Sequence, residues 1–208
     1  MDNMEQDRER NQIDILQVAL AGQDTPVYDG ALDQAQYERF KAALPTWRDM
    51  LMAMMLRGTG LRVMELLRLE RRHYEVEGPE YAVVVKRSKK RQQRVKAPAY
   101  ERIYLPPQLG VEMRHYILGQ HLAADNRVFQ VGDRWLRRVF WKAGDKALGR
   151  PVHPHEMRHL FLQTLVSGGV PIEAAAKLMG HDDVRTTREW YYDLTRDQRR
   201  QIGERIPA

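Results

Sequence analysis

Four short segments of this chain combine residue types and spacings that could do chemistry. In Gly58-Thr59-Gly60-Leu61-Arg62-Val63-Met64-Glu65, an arginine opens a helix after a glycine-rich turn, and Glu65 follows one turn on. Residues three apart share a helix face, so the carboxylate can orient the guanidinium, whose other donors can grip a phosphate. The same spacing also makes ordinary surface salt bridges. In His153-Pro154-His155-Glu156-Met157-Arg158-His159, His155 and Arg158 share a face at a helix start, where backbone N–H groups favour anions. Zinc ligation by His153, His155 and His159 is a weak alternative, because the HExxH spacing is missing and there is no cysteine. The segment Met179-Gly180-His181-Asp182-Asp183-Val184-Arg185-Thr186-Thr187-Arg188-Glu189-Trp190-Tyr191-Tyr192 places a histidine after a glycine helix stop, then two tyrosines on a new helix. A tyrosine oxygen becomes a useful nucleophile when cations activate it; otherwise such aromatics are core residues. Finally, Lys86-Arg87-Ser88-Lys89-Lys90-Arg91-Gln92-Gln93-Arg94-Val95-Lys96 holds seven cations and no acid. Such a run either neutralises a polyanion or forms a solvated loop.

Hydrophobic periodicity supplies the elements that must position these residues. Helices are expected over 33–44, 47–57 and 61–69, with Pro45 at an early position of the second and Gly58-Thr59-Gly60 as a break before the third. Tyr81–Val85 is rich in β-branched residues and reads as a strand; Arg102–Leu105 reads as a second, ended by Pro106-Pro107. Together they make a hairpin with a long basic tip. Beyond it, helices are expected over 107–122, 132–147, 155–168, 171–179 and 183–194. The fold class is mainly α with a small antiparallel β-sheet, an α+β arrangement. Residues 1–29 are expected to be an N-terminal extension with one short helix around Ile13–Leu20, and residues 30–208 to form the main domain with a C-terminal tail.

Composition narrows the function classes. The chain has 208 residues, 43% of them hydrophobic, which is enough for one core. Its net charge of +6 favours a polyanionic partner without proving one. The absence of cysteine removes disulfides and thiolate catalysis. The charged start, Met1–Arg10, argues against a signal peptide, and the longest apolar run, Met50–Leu56, is too short to span a bilayer. The expectation is a cytoplasmic protein with no membrane role.

In this order, the segments resemble the tyrosine recombinase (phage integrase) family. Its first box, T-G-L-R-x-x-E-L, is matched from Thr59 to Leu66, and its second, H-x-x-R-H, by His155, Arg158 and His159. Its third, L-G-H followed by T-T and the nucleophile, is matched from Leu178 to Thr187, with Met179 inserted. The resemblance implies the catalytic-domain fold of that family and a nucleoid-associated recombinase that needs no metal and no cofactor. It would cut and rejoin double-stranded DNA through a 3′-phosphotyrosyl bond. It further implies that Arg62 and Arg158 clamp the scissile phosphate, with His181 as third donor. His155 would assist proton transfer, with Glu65 and His159 in support. The family's general-acid lysine sits on a hairpin between the first two boxes. Lys89, in a Ser-Lys pattern at the strand end, is the expected one, with Lys86, Lys90 and Lys96 as alternatives. Lys86, Arg87, Lys90, Arg91, Arg94 and Lys96 are expected to contact DNA. Four protomers would assemble on two DNA sites, and a monomer without DNA is compatible with this.

The chain departs from the family pattern in two places. Nine residues after His181, where many members place the nucleophile, stands Trp190. A variant with one more residue fits Thr186-Thr187-Arg188-Glu189-Trp190-Tyr191, so Tyr191 is the expected nucleophile and Tyr192 its competitor. Only about thirty residues precede the matching region, against a clamp domain of about a hundred in most members. Either the chain is a cut-down form, or it is a minimal recombinase like those that invert fimbrial promoters, as Met1 favours. Two rival functions are a type IB topoisomerase-like strand transferase and an inactive DNA-binding module on the same fold; the largely intact motifs argue against the second.

Overall fold

The structure, a computed structural model, describes residues 32–86, 100–171, 174–175 and 178–179. Helix α1 (Gln34–Ala42) begins at a capping box: the Asp33 carboxylate accepts the Gln36 N–H at 2.6 Å, and the Gln36 side chain accepts the Asp33 N–H at 3.0 Å. Helix α2 (Trp47–Thr59) starts behind Thr46, whose hydroxyl accepts the Asp49 N–H, and ends on Gly60 at φ +62°. Gly58 and Thr59 therefore belong to the helix, and Gly60 alone makes the break expected across all three residues. Within the helix, the missing side chain of Gly58 makes room for Leu109: a Cβ there would lie 2.7 Å from that methyl group. Pro45 lies before the Thr46 cap rather than inside the helix.

Helix α3 (Val63–Leu67) is shorter than the stretch 61–69 expected to be helical. Leu69 and Arg71–His73, a 3-10 turn, leave the helix to pair with a later loop: Val128 N–H donates to Leu69, Arg71 to Asn126 and Arg72 to Ala124. The sheet has three antiparallel strands in the order β1 (Tyr74–Glu77), β2 (Glu80–Val85) and β3 (Glu101–Tyr104). Strand β1 is an addition to the expected hairpin. It pairs with β2 in the register Tyr74↔Val83, while Val83 also faces Ile103 of β3. Tyr74 ties the sheet to α4 (Pro107–Gly119), its hydroxyl donating to the Gly110 carbonyl at 2.8 Å.

Helices α5 (Asp133–Leu148) and α6 (Pro154–Ser167) complete the described elements with defined bounds. In the expected helix 171–179, Ala175 N–H donates to Pro171 and Met179 N–H to Ala175, the helical four-residue spacing. The stretches 13–20 and 183–194 lie outside the described residues. Helix α2 is central: Leu51, Met52, Ala53, Met55 and Leu56 are all buried, and α6 packs along it. Phe40 of α1 meets Phe140 of α5 edge-on, with ring centres 5.1 Å apart. Burial of each such ring contributes about 1.5–3 kcal/mol. A second apolar cluster, Phe161, Leu162, Leu165, Val170, Ala175 and Met179, seats the segment after α6. Among the described residues, no helix is long and apolar enough to cross a membrane.

Candidate active site

Glycine at position 60 is what lets the chain turn sharply from α2 into α3. Its φ of +62° suits a residue without Cβ, and Phe161 of α6 fills the space where a Cβ would stand, 2.4 Å from the ring. Two residues on, Arg62 is the N-cap of α3, with extended backbone, rather than its first helical residue. One oxygen of Glu65 accepts the Arg62 backbone N–H at 2.9 Å, and the other accepts Nη1 of its guanidinium at 3.1 Å. Glu65 is buried, while the Arg62 side chain is 32% exposed. A buried carboxylate thus fixes both ends of an arginine whose outer edge reaches solvent.

Helix α6 delivers the second group. His153 caps it; its backbone N–H donates to Glu156 at 2.7 Å, and Arg150 pairs with the same carboxylate at 2.9 Å. Pro154 follows at a position where no N–H is needed. Arg158 is 1% exposed, yet its guanidinium finds main-chain acceptors on two distant segments: Nη1 donates to Gly60 and Nη2 to Met179. A buried charge is costly without such partners. Arg158 therefore ties the turn that carries Arg62 to the segment that leads toward His181.

His155 lies at the outer side of this group. Burial of its inner edge, followed by the positive fields of Arg158, Arg62 and Arg137, lowers its pKa below the ordinary 6.5. It therefore sits among three guanidiniums, from α6, the α3 cap and α5. His159 stands against it edge to face, and burial, with His155 and Arg158, pushes the His159 pKa down to about 4. Arg62, Glu65, His155, Arg158 and His159 are thus brought together. Lys86 is exposed at the end of β2. Arg87, Lys89, Lys90, Arg91, Arg94, Lys96, His181, Tyr191 and Tyr192 lie outside the described residues. Among the described residues, no group of three or more His, Cys, Asp or Glu could hold a metal ion.

The sequence reading places helix α5 but gives its exposed face no role. Its inner face buries Leu136, Val139, Phe140 and Ala143, and its outer face exposes Arg134, Arg137, Arg138, Trp141 and Lys142. At 100° per residue, positions 134, 137, 138 and 141 fall on one stripe. Arg137, held by Asp133 at 2.8 Å, is the end of that stripe that acts on His155. The signal was legible as a tryptophan on the polar side of an arginine-rich helix.

A family model described as the phage integrase family matches residues 31–198. This chain belongs to the phage integrase family. This phage integrase domain is 27% identical over 169 residues to the tyrosine recombinase XerA of Saccharolobus solfataricus, covering 81% of this chain and 54% of that protein. Its fold is that of the XerH site-specific recombinase bound to palindromic difH substrate in a post-cleavage complex, with TM-score 0.66, 18% identity, and coverage of 86% and 54%. It also matches the Tn1549 transposon integrase in complex with circular intermediate DNA, with TM-score 0.62, 21% identity, and coverage of 88% and 69%. The integrase domain thus spans about half the length of the XerA relative.

Proposed function

We propose that this integrase domain is the catalytic part of a site-specific DNA recombinase that breaks and rejoins double-stranded DNA through a tyrosine. One observation carries this reading: Arg62, His155 and Arg158, from segments far apart in sequence, converge beside a helix start with a buried carboxylate behind them. Family membership and basic charge support it. Arg62 and Arg158 stabilise the charge that builds on the phosphate, joined by His181. His155, neutral before reaction, takes the proton of the attacking hydroxyl. Tyr191 is the nucleophile: its oxygen bonds to phosphorus, the P–O5′ bond breaks, and Lys89 protonates the leaving 5′-oxygen. The 5′-hydroxyl of a partner strand reverses the step, so bond energy is retained and no ATP is consumed. Four protomers on two DNA sites would perform the exchange.

Trapping on a nicked suicide substrate, drawn from DNA flanking the gene, tests this. The wild type is expected to form a covalent adduct that maps to Tyr191, with equal yield in EDTA. Tyr191→Phe should abolish the adduct while DNA binding stays within about twofold, because only the nucleophilic oxygen is lost. Adduct mapped to Tyr192, or full yield from Tyr191→Phe, overturns the nucleophile; loss of yield in EDTA with rescue by magnesium overturns the metal-free chemistry.

A further inference from the structure

The imidazoles of His155 and His159 meet with ring centres 4.6 Å apart and planes at 86°. Residues four apart on a helix lie one above the other, and helical side chains lean toward the N-terminus, so His159 reaches back over His155. A histidine that handles a proton has two needs: it must be uncharged beforehand, and one nitrogen must be aimed at the proton. His155 is exposed on its outer side. Among the described residues, the ring that meets His155 is that of His159.

We propose that His159 is a positioning residue, whose edge-to-face contact fixes the His155 ring and so selects the nitrogen presented to the attacking hydroxyl. This rests on the reading of His155 as the proton-handling group. The charged groups around the pair are Arg158 on the same helix, Arg62 with its partner Glu65, and Arg137 with its partner Asp133. Another cation here would add to a field that is already positive. His159, its pKa lowered to about 4, supplies a ring without adding charge above that pH. Its depressed pKa keeps it uncharged across the range in which His155 must work.

Nitrogen-15 imidazole spectra of the DNA-free full chain test the contact directly. Wild type and His159→Phe, which keeps a ring edge, are expected to show one dominant His155 tautomer titrating below 6.5. His159→Ala should give a mixed tautomer population and a midpoint shifted upward, because solvent reaches the inner edge and relieves burial, the largest cause of the depression. The acid limb of the adduct-formation pH profile should move the same way, and the rate should fall about tenfold, with His159→Phe within about threefold. An alanine variant with the wild-type tautomer and midpoint overturns the proposal, as does a phenylalanine variant that behaves like alanine. A wild-type adduct rate in His155→Asn would instead sink the proton-handling role of His155. It would remove the catalytic consequence while the spectra still report on the contact.

Discussion

At the scale of single residues, type and spacing singled out Arg62, Glu65, His155 and Arg158 as candidates, and only their order within a family pattern gave them roles. Their long-range contacts were not legible. Nothing in the local sequence says that Arg158 donates to carbonyls of Gly60 and Met179, 98 and 21 residues away. Nor does helical spacing alone say that Glu65 holds the backbone N–H of Arg62 as well as its guanidinium. That double contact predicts a specific sensitivity. Glu65→Gln keeps one acceptor oxygen but loses the negative charge under Arg62. With Arg62 about a third exposed, the expected loss of stability is modest, about 1–2 kcal/mol, read as a drop in Tm. The adduct rate should fall by about tenfold or more, since the clamp loses its fixed geometry. Unchanged rate and Tm would show that Glu65 does not support Arg62.

Among the elements, long periodic helices were read well: α5 was expected over 132–147 and runs 133–148, and α6 over 155–168 and runs 154–167. Strand β1 escaped because Tyr74-Glu-Val-Glu has four residues, two of them acids, and forms only by pairing with β2 across the turn at Gly78. Helix α3 ends earlier than its apolar pattern suggests, because tertiary hydrogen bonds take the following residues out of the helix. The turn between α2 and α3 is where element geometry meets the site. Gly60→Ala should cost about 1–2 kcal/mol from its left-handed backbone and about 1–3 kcal/mol from pressing on Phe161. Both the Arg62 turn and the carbonyl that Arg158 uses sit on this residue. The variant is therefore expected to lose adduct formation even at temperatures where it remains folded by circular dichroism. Wild-type cleavage from a folded Gly60→Ala chain would separate the turn from the chemistry.

The whole molecule was legible in outline because the motif segments occur in one order along the chain, and a hydrophobic share large enough for one core was evident from composition. The distribution of charge was less legible, because a net value of +6 does not say where the cations lie. Two regions can supply a polyanion surface: the basic run from Lys86 to Lys96, and the outer stripe of α5 with Arg134, Arg138 and Trp141. The sheet, in contrast, spends Arg102 on its own acids, Glu75 and Glu77. If both regions lie on bound DNA, each neutralised phosphate releases condensed counterions, and log affinity falls with log salt by about 0.9 for each. Affinity for a duplex should therefore be measured across a salt series for the wild type, Arg134→Ala with Arg138→Ala, and Lys90→Ala with Arg91→Ala. Each double variant is expected to reduce the magnitude of the slope by about 1–2, in proportion to the phosphates it no longer meets. A slope equal to the wild type in either variant removes that region from the interface, and equality in both would mean that the duplex docks on a different face of the molecule.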